Sequence, residues 1–194
     1  MPRLLNLGSF VGLAAIIACA CTPHYSPKPR GYHRIAFPEK AYYAYSSECP
    51  FTFAIPVYAE MRPDRTADSQ PCWVDVVFPE FNARIHLSYM QVQGEDNFNR
   101  LVEDARTFAF NHTIRATAID QTRIHHPDQH VYGLKYEIKG NAASGIQFFV
   151  TDSTKHYLRG ALYFHEKPRL DSIQPVLDFL KADIDTLIHT LRWK

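Results

Sequence analysis

Ala83, Ile85, Leu87 and Tyr89 alternate with Arg84, His86 and Ser88, so one side of this segment is apolar and the other polar. Successive side chains of an extended chain point to opposite faces, and a strand buried on one face is the structure that uses such a pattern. The same period runs through Phe51, Phe53, Ile55 and Val57, with Pro56 marking an edge or a bulge. Trp73 to Phe78 is a short apolar strand, and Pro79-Glu80-Phe81-Asn82 reads as the turn that folds it into a hairpin with 83–89. Strand signals resume at Tyr132, Leu134, Tyr136 and Ile138, then over 145–151 and 157–165, joined by Asp152-Ser153-Thr154-Lys155.

The period changes twice. Phe98, Leu101, Val102, Ala105, Phe108, Ala109 and His112 fall at helical spacing, with Asp96 or Asn97 as the N-cap. Leu170, Ile173, Leu177, Leu180, Ile184, Leu187 and Leu191 recur every three or four residues. Asp171 or Ser172 caps this second helix and Pro175 falls in its first turn. Strand pairs, helix, strand pairs, helix predict an α+β domain, a mainly antiparallel sheet packed by two amphipathic helices. The order is similar to the PsbP/Mog1 type of sandwich. With 194 residues, 46% of them apolar, one such domain has ample material for its core.

The N-terminus sets the compartment. Met1 to Asn6 carries Arg3 and no acidic residue, and the uncharged stretch from Leu7 to Ala20 is too short for the ~20 residues that span a bilayer as a helix. A short apolar run behind a basic start is a secretory signal. It ends Ile16-Ile17-Ala18-Cys19, which looks like the lipobox of bacterial lipoproteins, where the cysteine is acylated and becomes the new N-terminus. Cys19 is the expected acceptor; Cys21 is the alternative, although Ala18-Cys19-Ala20 lacks the aliphatic residue. Residues 1–18 are thus expected to be a lipoprotein signal peptide, 19–34 a lipidated cysteine with a proline-rich tether, and 35–194 a single domain. Pro23, Pro27 and Pro29 favour an extended spacer, which lifts the domain ~3.1 Å per residue from the lipid. Lys28, Arg30 and Arg34 are too few to insist on headgroup contact.

Lysines and arginines number 21 against 20 acidic residues, a net charge of +1. That balance removes the case for nucleic acid, whose affinity rests on basic clusters. Cys49 and Cys72 are the cysteines left in the domain, and an oxidising compartment favours a disulfide between them over two buried thiols. The loop closed would be about 24 residues, worth ~3 kcal/mol in the chain-entropy picture.

Catalytic signatures are sparse. His125-His126-Pro127-Asp128-Gln129-His130 brings imidazoles and a carboxylate close enough to raise a divalent metal, but Pro127 makes this a solvated turn first. His112 continues an apolar helix face and reads as a core histidine. Asp152, Ser153 and His156 are the residue types of nucleophilic catalysis, yet they crowd one hairpin turn. Asp183 and Asp185 sit two apart on a helix and face different ways. Tyr42, Tyr43 and Tyr45 lie in a stretch expected to be irregular, either as exposed partner anchors or as cover for a sheet edge.

Several blocks in order carry a resemblance: Pro27-Lys28-Pro29-Arg30-Gly31-Tyr32 behind the lipobox, Cys49-Pro50-Phe51-Thr52-Phe53, Cys72-Trp73, Glu103-Asp104-Ala105-Arg106 with His112-Thr113, and Phe148-Phe149-Val150-Thr151-Asp152-Ser153 through His156-Tyr157-Leu158-Arg159-Gly160-Ala161-Leu162-Tyr163-Phe164. Together they resemble the gliding-motility lipoprotein GldD family of Bacteroidetes. The resemblance implies a non-catalytic accessory lipoprotein of the gliding and type 9 secretion machinery, with other envelope proteins as partners, the membrane reached through lipid, and no cofactor. A periplasm-facing position is expected, since no acidic run follows Cys19. The alternatives are an envelope hydrolase using a metal on His125, His126, Asp128 and His130, and a carrier of a small ligand or lipid between sheet and helix.

Overall fold

The computed structural model describes residues 35–111, 116–165 and 170–194. The unit Ile35–Lys194 contains, in chain order, β1 (Tyr42–Ser46), β2 (Phe51–Pro56), β3 (Glu60–Pro63), β4 (Val74–Phe78), β5 (Ala83–Gln91), α1 (Glu95–Phe110), β6 (Ala116–His126), β7 (Val131–Gly140), β8 (Ser144–Thr151), β9 (His156–Phe164), α2 (Leu170–Thr190) and β10 (Arg192–Trp193). The larger sheet has seven strands in the order β3-β4-β5-β9-β8-β7-β6, and a small sheet has the order β1-β2-β10. Their pairings are antiparallel. The fold is therefore α+β, a mainly antiparallel sheet with two helices.

Period-two alternation gives the seven-stranded sheet two different faces. Val76, Ile85, Leu87, Val150, Leu158 and Leu162 point inward, where they meet Phe51, Phe53 and Ile55 of the small sheet and Leu180, Ile184 and Leu187 of α2. Full burial of such a side chain contributes about 1.5–3 kcal/mol, so this three-way core is what joins both sheets and the last helix. On the opposite face Tyr136, Ile138, Phe149 and Tyr157 form a second core under Leu101, Val102, Ala105 and Ala109 of α1. That helix covers the end built from β7, β8 and β9. The same face at β3, β4 and β5 carries Arg62, Asp75, Arg84 and His86 instead.

Several expectations are corrected. The tyrosines at 42, 43 and 45 lie on a regular strand, paired with β2, not on an irregular stretch. The eleven-residue β6 had no signal because it is an edge strand with most of its side chains exposed and only Ile124 of them buried, so they need no alternation. Helix α1 starts at Glu95 behind Gly94, whose φ of 85° suits glycine, and no side chain caps it. Asn97 turns back to accept the Gln93 N–H at 2.9 Å. Phe108 is 48% exposed because Ala105 and Ala109 are the residues pressed on the sheet; its ring lies 4.5 Å below the Arg159 guanidinium. Val57 lies beyond the end of β2 and is 59% exposed. Pro175 is inside α2, beyond its first turn.

Candidate functional site

Cys19, Cys21, Lys28, Arg30, Arg34 and His112 lie outside the described residues. Cys49 and Cys72 are joined in a disulfide with a Cα–Cα distance of 5.6 Å. The bond links the residue pair leading into β2 with the one leading into β4, and so staples the small sheet to the large one.

The histidine-rich segment is the β6–β7 connection: Pro127–Gln129 form one turn of 3-10 helix, and His130 follows in the left-handed region at φ 52°. Its imidazoles take different neighbours. His125 packs on Tyr132 and His126 on His189 of α2, at centroid distances of 5.5 and 5.2 Å. Burial, and then the nearby His189, Arg192 and His125, push the His126 pKa down. Its Nδ1 and Gln129 Oε1 are both sealed from solvent, and Gln129 is the neighbour that pulls the His126 pKa the other way. Among the described residues, no group of three or more His, Cys, Asp or Glu side chains is placed to hold a metal ion.

Asp152 serves its own turn. Its Oδ1 accepts the N–H groups of Thr154, Lys155 and His156 at 2.8–2.9 Å. Burial opposes its ionisation, but these backbone donors outweigh burial and hold the carboxyl below the usual range. The His156 ring, meanwhile, meets the Tyr89 hydroxyl at 2.9 Å through Nδ1 and stacks on Trp193. Carboxylate and imidazole are therefore engaged separately, without the relay that nucleophilic catalysis needs.

Asp183 and Asp185 do diverge. Asp185 pairs with Lys135 of β7, whereas Asp183, 2% exposed, is the centre of a polar cluster that no sequence pattern signals. Lys40 Nζ and the Tyr42 hydroxyl donate to its Oδ1 at 2.7 and 2.8 Å, and the Tyr58 hydroxyl donates to Oδ2 at 2.7 Å. Lys40 also donates to the Tyr58 hydroxyl and to the Phe179 carbonyl, which matches all three of its N–H groups. Its ammonium sits 3.4 Å from the centroid of the Phe179 ring. Burial lowers the Lys40 pKa against the pull of Asp183, and burial followed by the Asp183 charge raises that of Tyr58. The tyrosines thus divide: Tyr42 bonds to Asp183, Tyr45 packs on Phe53, and Tyr43 is 45% exposed.

The polar end of the large sheet is the second arrangement drawn from distant segments. Arg62, Asp75 and His86 stand directly opposite one another on β3, β4 and β5, and Arg84 lies two residues along from His86 on the same face. Asp75 is buried and accepts His86 Nδ1 at 2.8 Å and Arg84 Nη1 at 3.3 Å. Next to them, the loop after β3 and His165 after β9 enclose a cleft of about 520 Å³. The polar half of the β5 alternation was visible in the sequence; Asp75 was masked within an apolar run, and Arg62 and Arg65 belong to a segment with no periodicity.

A family model described as gliding motility lipoprotein GldD matches residues 22–193. Among solved structures, the chain is similar to the cyanobacterial PsbP (CyanoP) of Synechocystis sp., at a TM-score of 0.48 and 12% identity over 84% of this chain and 98% of that one. No curated protein matches.

Proposed function

The chain belongs to the gliding motility lipoprotein GldD family, and from that premise we propose that it is a non-catalytic interaction or stabilising module of the gliding and type 9 secretion machinery. Lipid on Cys19 holds it in the cell envelope, with the domain on the periplasmic side. The observation that carries this reading is the span of the family match: it begins at residue 22, directly behind both candidate acyl acceptors, and runs to 193.

Physical chemistry supports the same reading. Each acyl chain adds ~0.8 kcal/mol per buried CH2, so several chains hold the protein on a membrane. Confinement to a thin layer raises the effective concentration of partners, and a modest interface then suffices. The two most heavily bonded carboxylates support it further, since Asp152 orders a turn and Asp183 ties Lys40, Tyr42 and Tyr58 to α2. Crosslinking in intact cells followed by co-purification tests the proposal. The wild-type protein should capture other components of the machinery and Cys19→Ala should capture fewer; capture of none contradicts it.

One observation favours a second reading, carriage of a small ligand. A cleft of about 410 Å³ opens between β7, β8 and α2, with Ile138, Ile146 and Leu177 in its apolar lining. Native mass spectrometry of the purified protein should then reveal a bound molecule.

A further inference from the structure

The face of the large sheet that α1 leaves bare holds more hydrogen-bond donors than its own acceptors satisfy. Glu60 Oε2 takes Arg62 through Nε and Nη2, at 3.2 and 2.6 Å. Both oxygens of Asp75 are engaged by His86 and Arg84, and both oxygens of Asp64 by the N–H and hydroxyl of Thr66, at 3.0 and 2.7 Å. The carboxylates around the cleft are therefore already occupied. Arg84 makes a single long bond, to Asp75, and its Nε is sealed from solvent without a partner. Arg65 is exposed and makes no hydrogen bond or ion pair among the described residues. Exposed guanidinium donors beside carboxylates that are each already engaged through both oxygens leave the cleft open to an oxyanion from outside.

The setting is firm enough to hold one. Arg62 and Arg84 stand on the two strands that flank β4, and the loop that carries Arg65 is closed by Asp64 N–H to the Trp73 carbonyl, Ser69 N–H to Thr66 and Trp73 N–H to Gln70, then pinned by the Cys49–Cys72 bond. His165 is fixed from the other side through its N–H to the Asn82 carbonyl. The positive field is felt locally. Burial raises the Asp64 pKa, but the Thr66 hydrogen bonds, with the charges of His86 and Arg84, bring it below the usual carboxylate range. A guanidinium offers planar paired donors that fit phosphate oxygens. With three arginines around a space of about 520 Å³, the cleft has room for a phosphate group and the ester that carries it.

We propose that the cleft lined by Arg62, Arg65, Arg84 and His165 binds a phosphate group, held chiefly by Arg65 and by the Nη groups of Arg84, whose side chain is partly exposed while its Nε is sealed. The phosphate belongs either to a lipid headgroup of the membrane that anchors the protein or to a soluble ester, and the chemistry of recognition is the same.

Calorimetric titration of the full mature protein in neutral detergent, with sn-glycerol 3-phosphate and with dihexanoyl phosphatidylglycerol, tests the site. Saturable binding of at least one probe is expected, weakened about tenfold or more in Arg65→Gln and in Arg84→Gln. Arg123→Gln, an arginine of the distant edge strand β6, should leave the affinity unchanged. Tighter binding of phosphatidylglycerol assigns the phosphate to a lipid headgroup, and tighter or equal binding of glycerol phosphate assigns it to a soluble ester. Arg65→Gln removes no bond of the fold, so its result stands even if Arg84→Gln disturbs the sheet. No saturable binding of either probe, or affinity untouched by Arg65→Gln, overturns the proposal.

Discussion

Lys40 Nζ lies 2.7 Å from Asp183 Oδ1, across 143 positions of sequence, and so binds the start of the domain to the middle of its last helix. Tyr42 and Tyr58 complete the shell of that carboxylate. Any load that reaches the domain through the segment before Lys40 therefore meets a bonded junction with α2 before it meets the sheets. Removal of Asp183 leaves a half-buried ammonium and two hydroxyls without their acceptor, and breaking a buried pair from one side costs about 3–5 kcal/mol. Lys40 is partly exposed, so the lower end applies: Asp183→Ala should lower the unfolding free energy by about 3 kcal/mol. Lys40→Met keeps the packing on Phe179 but leaves the Asp183 carboxylate, its side chain 1% exposed, with two hydroxyl donors and no counter-charge, so its cost should be no smaller. Urea unfolding of the two variants decides the matter, and a Lys40→Met midpoint close to that of the wild type would contradict this account of the cluster.

The disulfide makes a separate prediction. Because Cys49–Cys72 joins the approaches to β2 and β4, its loss gives the unfolded chain more conformations as well as loosening the contact between the two sheets in the native state. Cys49→Ser should cost about 3 kcal/mol by the loop it opens. Reduced wild-type protein should unfold at the midpoint of the variant, and an oxidised wild type no more stable than Cys49→Ser would show that the bond is energetically idle.

How far the sequence reached depended on whether burial was one-sided. Strands β4 and β5 and the stripe of α2 were legible because each has one face in the main core, and burial then writes its period into residue type. Strand β6 is mostly exposed, with Ile124 as its one buried residue, so little forces alternation, and β1 was hidden because its residues are exposed or half-buried without a period of two. Phe108 fitted the helical spacing but not the sheet, since a stripe drawn from spacing is wider than the line of contact that Ala105 and Ala109 make. The Asp183 cluster and the arginine cleft were invisible for a different reason. Their members come from three or more segments, and tertiary pairing brings them together without a local motif.

Gly133 on β7 tests the register between β7 and β8. It stands opposite Val150, and a Cβ built on it would lie 1.9 Å from the Phe149 carbonyl oxygen, which is backbone and has no rotamer to yield. Gly133→Ala must shift one strand against the other, and overpacking of this kind costs about 1–3 kcal/mol, with the upper end expected here. The contrast is Gly94→Ala, where nothing lies within 4 Å and the penalty comes only from the backbone, since φ 85° with ψ 175° is a region essentially restricted to glycine, about 1–3 kcal/mol. The melting temperatures of both proteins should fall, and Gly133→Ala alone should lose amide protection along β7 and β8.

His126 makes the stability of the domain depend on pH. Its folded pKa is depressed below 6.5 by burial first, and then by His189, Arg192 and His125. Below about pH 6.5 the unfolded chain consequently binds more protons at this position than the native one, and stability rises with pH wherever that holds. The contribution is complete above the unfolded value and shrinks as the pH falls through the window toward the folded pKa. His126→Gln has no charge to exclude, so its melting temperature should decline less than that of the wild type between about pH 7 and pH 5. Melting curves through that window check the sign directly: a wild type whose stability rose on acidification, or a variant with the same slope, would mean that the half-buried ring at the β6–β7 turn does not resist protonation.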